Sequence, residues 1–142
     1  MPSAQLNRAM LTVRDALDTR YAEPLDIATL ARLVHVSPEH LIRSFKSVFA
    51  ETPHRYLQRR RVERAMFWLR TTDRPVTQVC LDVGFESLGT FTRTFRAVVG
   101  ETPTAYRRRG PLPPAPGCVT RAWTRPASYA SVSEKPEGAR VS

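Results

Sequence analysis

Arg43 and Arg93 stand at matching places in two copies of one pattern, Leu41-x-Arg43-x-Phe45 and Phe91-x-Arg93-x-Phe95. A guanidinium is a planar fork of N–H donors that keeps its charge at any physiological pH. It suits a partner that offers two acceptors side by side, such as a phosphate, a carboxylate or the O6/N7 edge of guanine. Helical spacing selects the company each arginine keeps. With Leu41 and Phe45 turned inward, Glu39, Ile42, Arg43 and Lys46 turn outward; with Phe91 and Phe95 inward, Leu88, Gly89, Thr92, Arg93 and Arg96 turn outward. Ile42 and the Thr92 methyl could touch a thymine methyl, and Glu39 could accept from cytosine N4. The plainer roles stay open: either arginine could serve a phosphate or an internal salt bridge, and an acid in the first turn of a helix is already explained by the helix dipole.

Each copy belongs to a larger repeat. Phe45 to Tyr56 returns fifty positions later as Phe95 to Tyr106, sharing Glu-Thr-Pro and the terminal tyrosine. Further back, Ser37 pairs with Ser87 at the same offset, whereas Ile27, Leu30, Ala31, Val34 and Val36 fall on Val76, Val79, Cys80, Val83 and Phe85 at an offset one shorter. One extra residue therefore lies between Val83 and Phe91. Each unit reads as a short helix, a tight turn and a second helix, the outline of a helix-turn-helix.

The flanking elements follow from caps and periodicity. Leu6, Ala9, Met10, Val13, Ala16, Leu17 and Tyr21 recur at steps of three and four behind Ser3, predicting a helix over about residues 4–21. Asp26 can cap the next helix, the turn falls near His35 and Val36, and Ser37-Pro38-Glu39 opens the helix that follows. Thr52-Pro53 opens a connector through about Arg70, roughly 27 Å long at 1.5 Å per residue, burying Tyr56, Leu57, Val62, Ala65, Met66 and Leu69. Arg59-Arg60-Arg61, with Arg55 and Arg64, makes this connector basic on several faces. At least one of these arginines is expected to be tied to the core, while Arg59 and Arg60 are counted among the candidate contacts to phosphate. Thr102-Pro103 starts a last short helix toward Arg109, where Arg107, Arg108 and Arg109 could meet phosphate or favour the helix C-terminus.

The expected fold class is all-α: two helix-turn-helix subdomains joined by a long linker helix, followed by a disordered, proline-rich C-terminal tail. The expected boundaries are 1–52 for the first lobe, 53–71 for the linker helix and 72–110 for the second lobe, together one domain over 1–110, with the tail at 111–142. That tail holds six of the twelve prolines and shows no apolar periodicity, although Cys118 to Trp123 could form a brief strand or docking segment.

Charge points to a polyanion. The 142 residues carry 22 Lys+Arg against 13 Asp+Glu, a formal +9, and residues 1–110 hold 18 of the basic and 11 of the acidic side chains. Lys46 and Lys135 are the two lysines; every other cation is arginine. Two cysteines, Cys80 and Cys118, cannot make a metal site or a disulfide framework by themselves, and His35, His40 and His54 lack ligand-like spacing. No metal, cofactor or membrane partner is expected. The N-terminus lacks the apolar stretch of a signal peptide, and a cytoplasmic, nucleoid-associated protein is the expectation.

The second-unit pattern Val79-Cys80-x3-Gly84-Phe85-x5-Phe91-x-Arg93-x-Phe95-x4-Gly100-x2-Pro103-x2-Tyr106 is similar to the signature of the AraC/XylS family of bacterial transcription regulators. Leu30-Ala31-x5-Ser37-x3-Leu41-x-Arg43-x-Phe45 supplies its looser partner, and Arg61-Val62-x2-Ala65 resembles the family's linker-helix motif. The resemblance covers about residues 6–109. It implies a sequence-specific regulator that binds double-stranded DNA, with RNA polymerase as a further partner and either activation or repression as the outcome. Two features depart from the pattern: Cys80 stands where alanine is usual, and Leu88 and Gly89 stand where polar residues often face DNA.

One chain with two reading helices could enter adjacent major grooves, which lie roughly 34 Å apart along one side of B-DNA, so binding as a monomer is expected. Many members of the family carry a separate effector-sensing domain, for which this chain has no evident room. Two other functions are weighed. A protein-interaction module would use the helices as scaffold and anchor its partner through Trp123 and Tyr129. A DNA-repair methyl acceptor would need Cys118 as a nucleophilic thiolate, which requires a base or a strong positive field beside it. The placement of Arg43 and Arg93 favours DNA binding without enzymatic activity.

Overall fold

The computed structural model describes residues 3–110, and the expectations for the tail, Cys118 to Trp123 included, lie outside the described residues. Seven α-helices follow one another along this span: α1 (Ala4–Thr19), α2 (Ile27–Leu33), α3 (Pro38–Phe49), α4 (Pro53–Thr71), α5 (Val76–Asp82), α6 (Leu88–Val99) and α7 (Pro103–Arg107). No strand occurs among the described residues, so the chain is all-α there. It divides into two compact units, residues 1–60 and residues 61 onward, so that α4 supplies its first part to one and its remainder to the other.

Side-chain oxygens stop or start most of these helices by satisfying amides that have no intrahelical acceptor. In the first unit Ser3 accepts from the Leu6 amide at 3.0 Å, Asp26 from Thr29 at 2.8 Å and Ser37 from His40 at 3.1 Å. That bond, ahead of Arg32 nearby, holds the Asp26 carboxyl below its ordinary value. Thr52 accepts from the Arg55 amide at 3.3 Å to open α4. In the second unit Ser87 and Thr102 do the same for α6 and α7, accepting from Thr90 at 3.2 Å and Ala105 at 3.1 Å. α1 ends two residues earlier than its periodicity suggests, at Thr19: the Arg20 backbone leaves helical geometry at φ −115° and ψ 30°, and its side chain turns to Glu23.

The turns inside the units are built alike. Val36 N donates to Ala31 O and Phe85 N to Cys80 O, both at 3.0 Å, across a residue with positive φ: His35 at 60° and Gly84 at 102°. The second turn carries one more residue before its helix, and the alignment places that residue at Glu86.

Burial follows the sequence pattern closely. α3 packs on α1 and α2, enclosing Met10, Val13, Leu17, Leu30, Ala31, Leu41 and Phe45; α6 packs on α5 and α7, enclosing Val79, Cys80, Val83, Phe85, Phe91, Phe95 and Tyr106. Phe45 meets Tyr56 edge-on with ring centroids 5.7 Å apart, and Phe95 meets Tyr106 at the same 5.7 Å. α4 buries Tyr56 and Leu57 in its first part and Val62, Ala65 and Leu69 in its second. The step of five from Leu57 to Val62 breaks the three-four rhythm of a single apolar stripe, and Met66, expected inside, is half-buried.

α3 and α6 end in the left-handed conformation, on Ala50 at φ 66° and on Gly100 at φ 95°. A side chain in that conformation crowds the backbone, which glycine avoids. A Cβ at Gly100 would meet nothing within 4 Å, so its cost there is one of backbone alone. Ala50→Gly should therefore stabilise the chain by about 0.5–1 kcal/mol and Gly100→Ala destabilise it by about 1 kcal/mol. Urea unfolding of the two variants beside the parent checks both signs.

Candidate nucleic-acid interface

Rotation of α3 is fixed by the side chains it buries. With Leu41, Ser44 and Phe45 inside, Glu39, Ile42, Arg43 and Lys46 all lie exposed on its opposite side, and Ile42 keeps 38% of its surface accessible. Phe91 and Phe95 fix α6 in the same way. Leu88, Gly89, Arg93 and Arg96 are exposed there, while Thr92 is half-buried. Within each unit, then, one face of the second helix of the helix-turn-helix collects the predicted residues, and an arginine sits in the middle of it.

The start of α6 carries a polar network that the spacing argument left out. Ser87 Oγ donates to Thr90 Oγ1 at 3.0 Å, and Arg93 Nη2 donates to the same oxygen at 3.4 Å. By periodicity Thr90 falls between the outward positions, and it is half-buried. The signal was present as Ser87-x-x-Thr90-x-x-Arg93, three polar residues at steps of three on one helix.

The arginines of α4 divide. Arg55 is exposed. Arg59 pairs with Glu51 at 2.6 Å and stacks 5.5 Å from the Tyr56 ring centre, and Arg60 faces Asp18 at 3.5 Å, beside the 2.7 Å hydrogen bond that Tyr56 OH donates to Asp18. Burial, then that hydrogen bond and the Asp18 charge, push the Tyr56 phenol far above its usual range. Arg61 is the one tied to the core: 9% exposed, it lies 5.9 Å from the Phe85 ring centre, and burial lowers its pKa against the opposing pull of Glu86. Arg64 covers Phe67 and Trp68. Arg59 and Arg60, both candidates for phosphate, thus already meet carboxylates of their own unit.

The arginines after α7 divide as well. Arg107 donates to Leu69 O at 3.0 Å and Thr72 O at 3.3 Å, closing the end of α4, while Arg70 reaches back to Gly110 O at 2.9 Å. Arg109 pairs with Glu101 at 2.5 Å and lies 6.0 Å from the Tyr106 ring centre. Arg108 remains exposed. Glu51–Arg59 and Glu101–Arg109 are the same clasp at the fifty-residue offset, so extending the repeat three residues past the tyrosines finds it.

The match to a helix-turn-helix domain family model runs from residue 30 to residue 109, across the second helix pair and most of the first. This chain belongs to the AraC/XylS-type helix-turn-helix family of DNA-binding transcription regulators. Regulatory protein SoxS of Salmonella typhimurium is 36% identical over 98 residues, which is 69% of this chain and 92% of that protein. A probable AraC family transcriptional regulator from Rhodopseudomonas palustris superposes with a TM-score of 0.68 at 26% identity, covering 74% of this chain and 99% of that one. The DNA-binding domain of the global transcriptional factor AdpA, solved in complex with a target DNA, superposes with a TM-score of 0.63 at 30% identity, covering 75% of this chain and 93% of that one.

Cys80, one of the departures from the AraC/XylS pattern, has a plain structural reading. Cys80 is 2% exposed, its sulfur lies 3.5 Å from Ser87 O, and burial raises the thiol pKa, the opposite of what a nucleophile needs. Cys118, the other thiol weighed for methyl transfer, lies outside the described residues. Among the described residues no helix is long and apolar enough to cross a membrane, and no group of three or more His, Cys, Asp or Glu is placed to hold a metal ion.

Neutralising the clasps tests whether their arginines are held back from a polyanion. Glu51→Gln should cost about 1–2 kcal/mol of stability, more than Glu101→Gln at below about 1, because the Arg59 pair is the less exposed of the two. Each variant should also bind random-sequence duplex more tightly, with the slope of log affinity against log salt steepened by about one. Fluorescence anisotropy across a salt series reads this directly.

Proposed function

We propose that this sequence-specific DNA-binding transcription regulator reads duplex DNA as a single chain, laying α3 of one unit and α6 of the other in successive major grooves. The observation that carries the reading is the shared register of Arg43 and Arg93, each exposed at the centre of a helix face whose opposite side is locked into the core. A major groove admits one α-helix and displays guanine O6 and N7 to a two-pronged donor. Arg43 and Arg93 read bases in this scheme, Ile42 and Thr92 touch thymine methyls, and Lys46 and Arg96 serve phosphates. Glu39 favours its own helix start, and Leu88 and Gly89 leave the second half-site with fewer polar contacts.

α4 supports the scheme by its length: 19 residues span roughly 28 Å, of the order of the groove repeat. The two reading faces differ in sequence, so the target is asymmetric and no second copy is required. Contact with RNA polymerase and residence at the bacterial nucleoid in the cytoplasm belong to the same reading. Arg59 and Arg60 act in it mainly through Glu51 and Asp18, shaping the first unit, and approach phosphate only as those pairs open.

Selection from randomised duplexes should recover a two-part site whose halves lie about ten base pairs apart. Arg43→Ala and Arg93→Ala should each flatten base preference in a different half, by about 1–3 kcal/mol. Lys46→Ala and Arg96→Ala should weaken all sequences alike and reduce the salt slope by about one. Retention that depends on salt alone, with no motif enriched, would overturn the reading.

A further inference from the structure

The guanidinium of Arg93 does not extend freely from α6. It folds back onto the first turn, where Nη2 donates to Thr90 Oγ1 at 3.4 Å. Thr90 Oγ1 also receives the Ser87 hydroxyl at 3.0 Å, while Ser87 Oγ accepts the Thr90 amide at 3.2 Å. A hydroxyl has two acceptor sites and one donor, so with both acceptor sites taken the Thr90 O–H is what remains to give. A Cβ at residue 89 would lie in ordinary van der Waals contact with Arg93 Nη1, at 3.4 Å. In the first unit the residue corresponding to Thr90 is His40, which offers no hydroxyl to Arg43.

We propose that Thr90 is a positioning residue for Arg93, so that residues 90 and 93 set base preference in this half-site as one unit. The inference rests on the reading of Arg93 as a base-contacting side chain. Held by Thr90, the Arg93 side chain lies across the helix start and presents its fork toward the base opposite the first turn.

The full chain is assayed by competition against its selected duplex, with each base pair of the half facing α6 replaced singly. Arg93→Ala should lose about tenfold discrimination at one or two base pairs. Thr90→Val should lose about threefold at the same base pairs, and Thr90→Ser should retain the parent profile. The double variant Thr90→Val/Arg93→Ala should be no flatter than Arg93→Ala alone, because the two act through one contact. The half facing α3 should keep its profile in all of them, and urea unfolding of each variant beside the parent shows that the unit carrying α6 is folded. Full discrimination in Thr90→Val or multiplicative loss in the double variant would overturn the proposal while the base-reading role of Arg93 stands. An unchanged profile in Arg93→Ala would overturn both.

Discussion

Everything outward about this protein depends on four buried rings. Phe45 against Tyr56 and Phe95 against Tyr106 pin the second helix of each helix-turn-helix to the helix that follows it, and in doing so fix the helix's rotation about its own axis. An α-helix advances by about 100° per residue, so a helix free to roll by one position would put Ile42 or Ser44 where Arg43 stands and Thr92 or Thr94 where Arg93 stands. Burying large aromatic surface makes that roll expensive. The positions of Arg43 and Arg93 are thus set from the inside, by side chains that never meet solvent.

The same economy governs the charges. A surface rich in arginine repels itself, and the chain answers by tying several guanidinium groups to its own carboxylates, carbonyls and rings: Arg59 to Glu51, Arg109 to Glu101, Arg107 to the end of α4, and Arg61 and Arg64 to aromatic faces. The cations left exposed on the outward faces of α3 and α6 are fewer than the composition implies. Net charge describes attraction at a distance; the local pairing decides which groups can make contact.

Much of this was legible in the sequence. Caps at Ser3, Asp26, Ser37 and Thr52, the turn at His35, and the inward set of α3 and α6 follow from short-range rules, because each depends on residues within one or two turns of one another. The DNA-binding family followed from motifs that those rules place on helices. What the sequence concealed was of two kinds. Met66 and the interrupted stripe of α4 depend on one helix serving two cores, which a single periodicity cannot express. The partners of Arg59, Arg60, Arg61 and Arg107 depend on where other elements come to rest, and a run of arginines looks the same whether its members face solvent or a carboxylate. Thr90 sits between these cases, visible as spacing yet given meaning by the way Arg93 folds onto it.

The clasp that recurs as Glu51 with Arg59 and Glu101 with Arg109 has an evolutionary corollary. Each copy of the ancestral segment brought along its own ion pair, its own capping threonine and its own ring contact, so neither borrowed its integrity from the other when the gene doubled. Such self-sufficiency frees the outward face of one copy to drift while its twin stays folded. The glycine at position 89 and the surplus residue at position 86 are what that liberty looks like in the present chain.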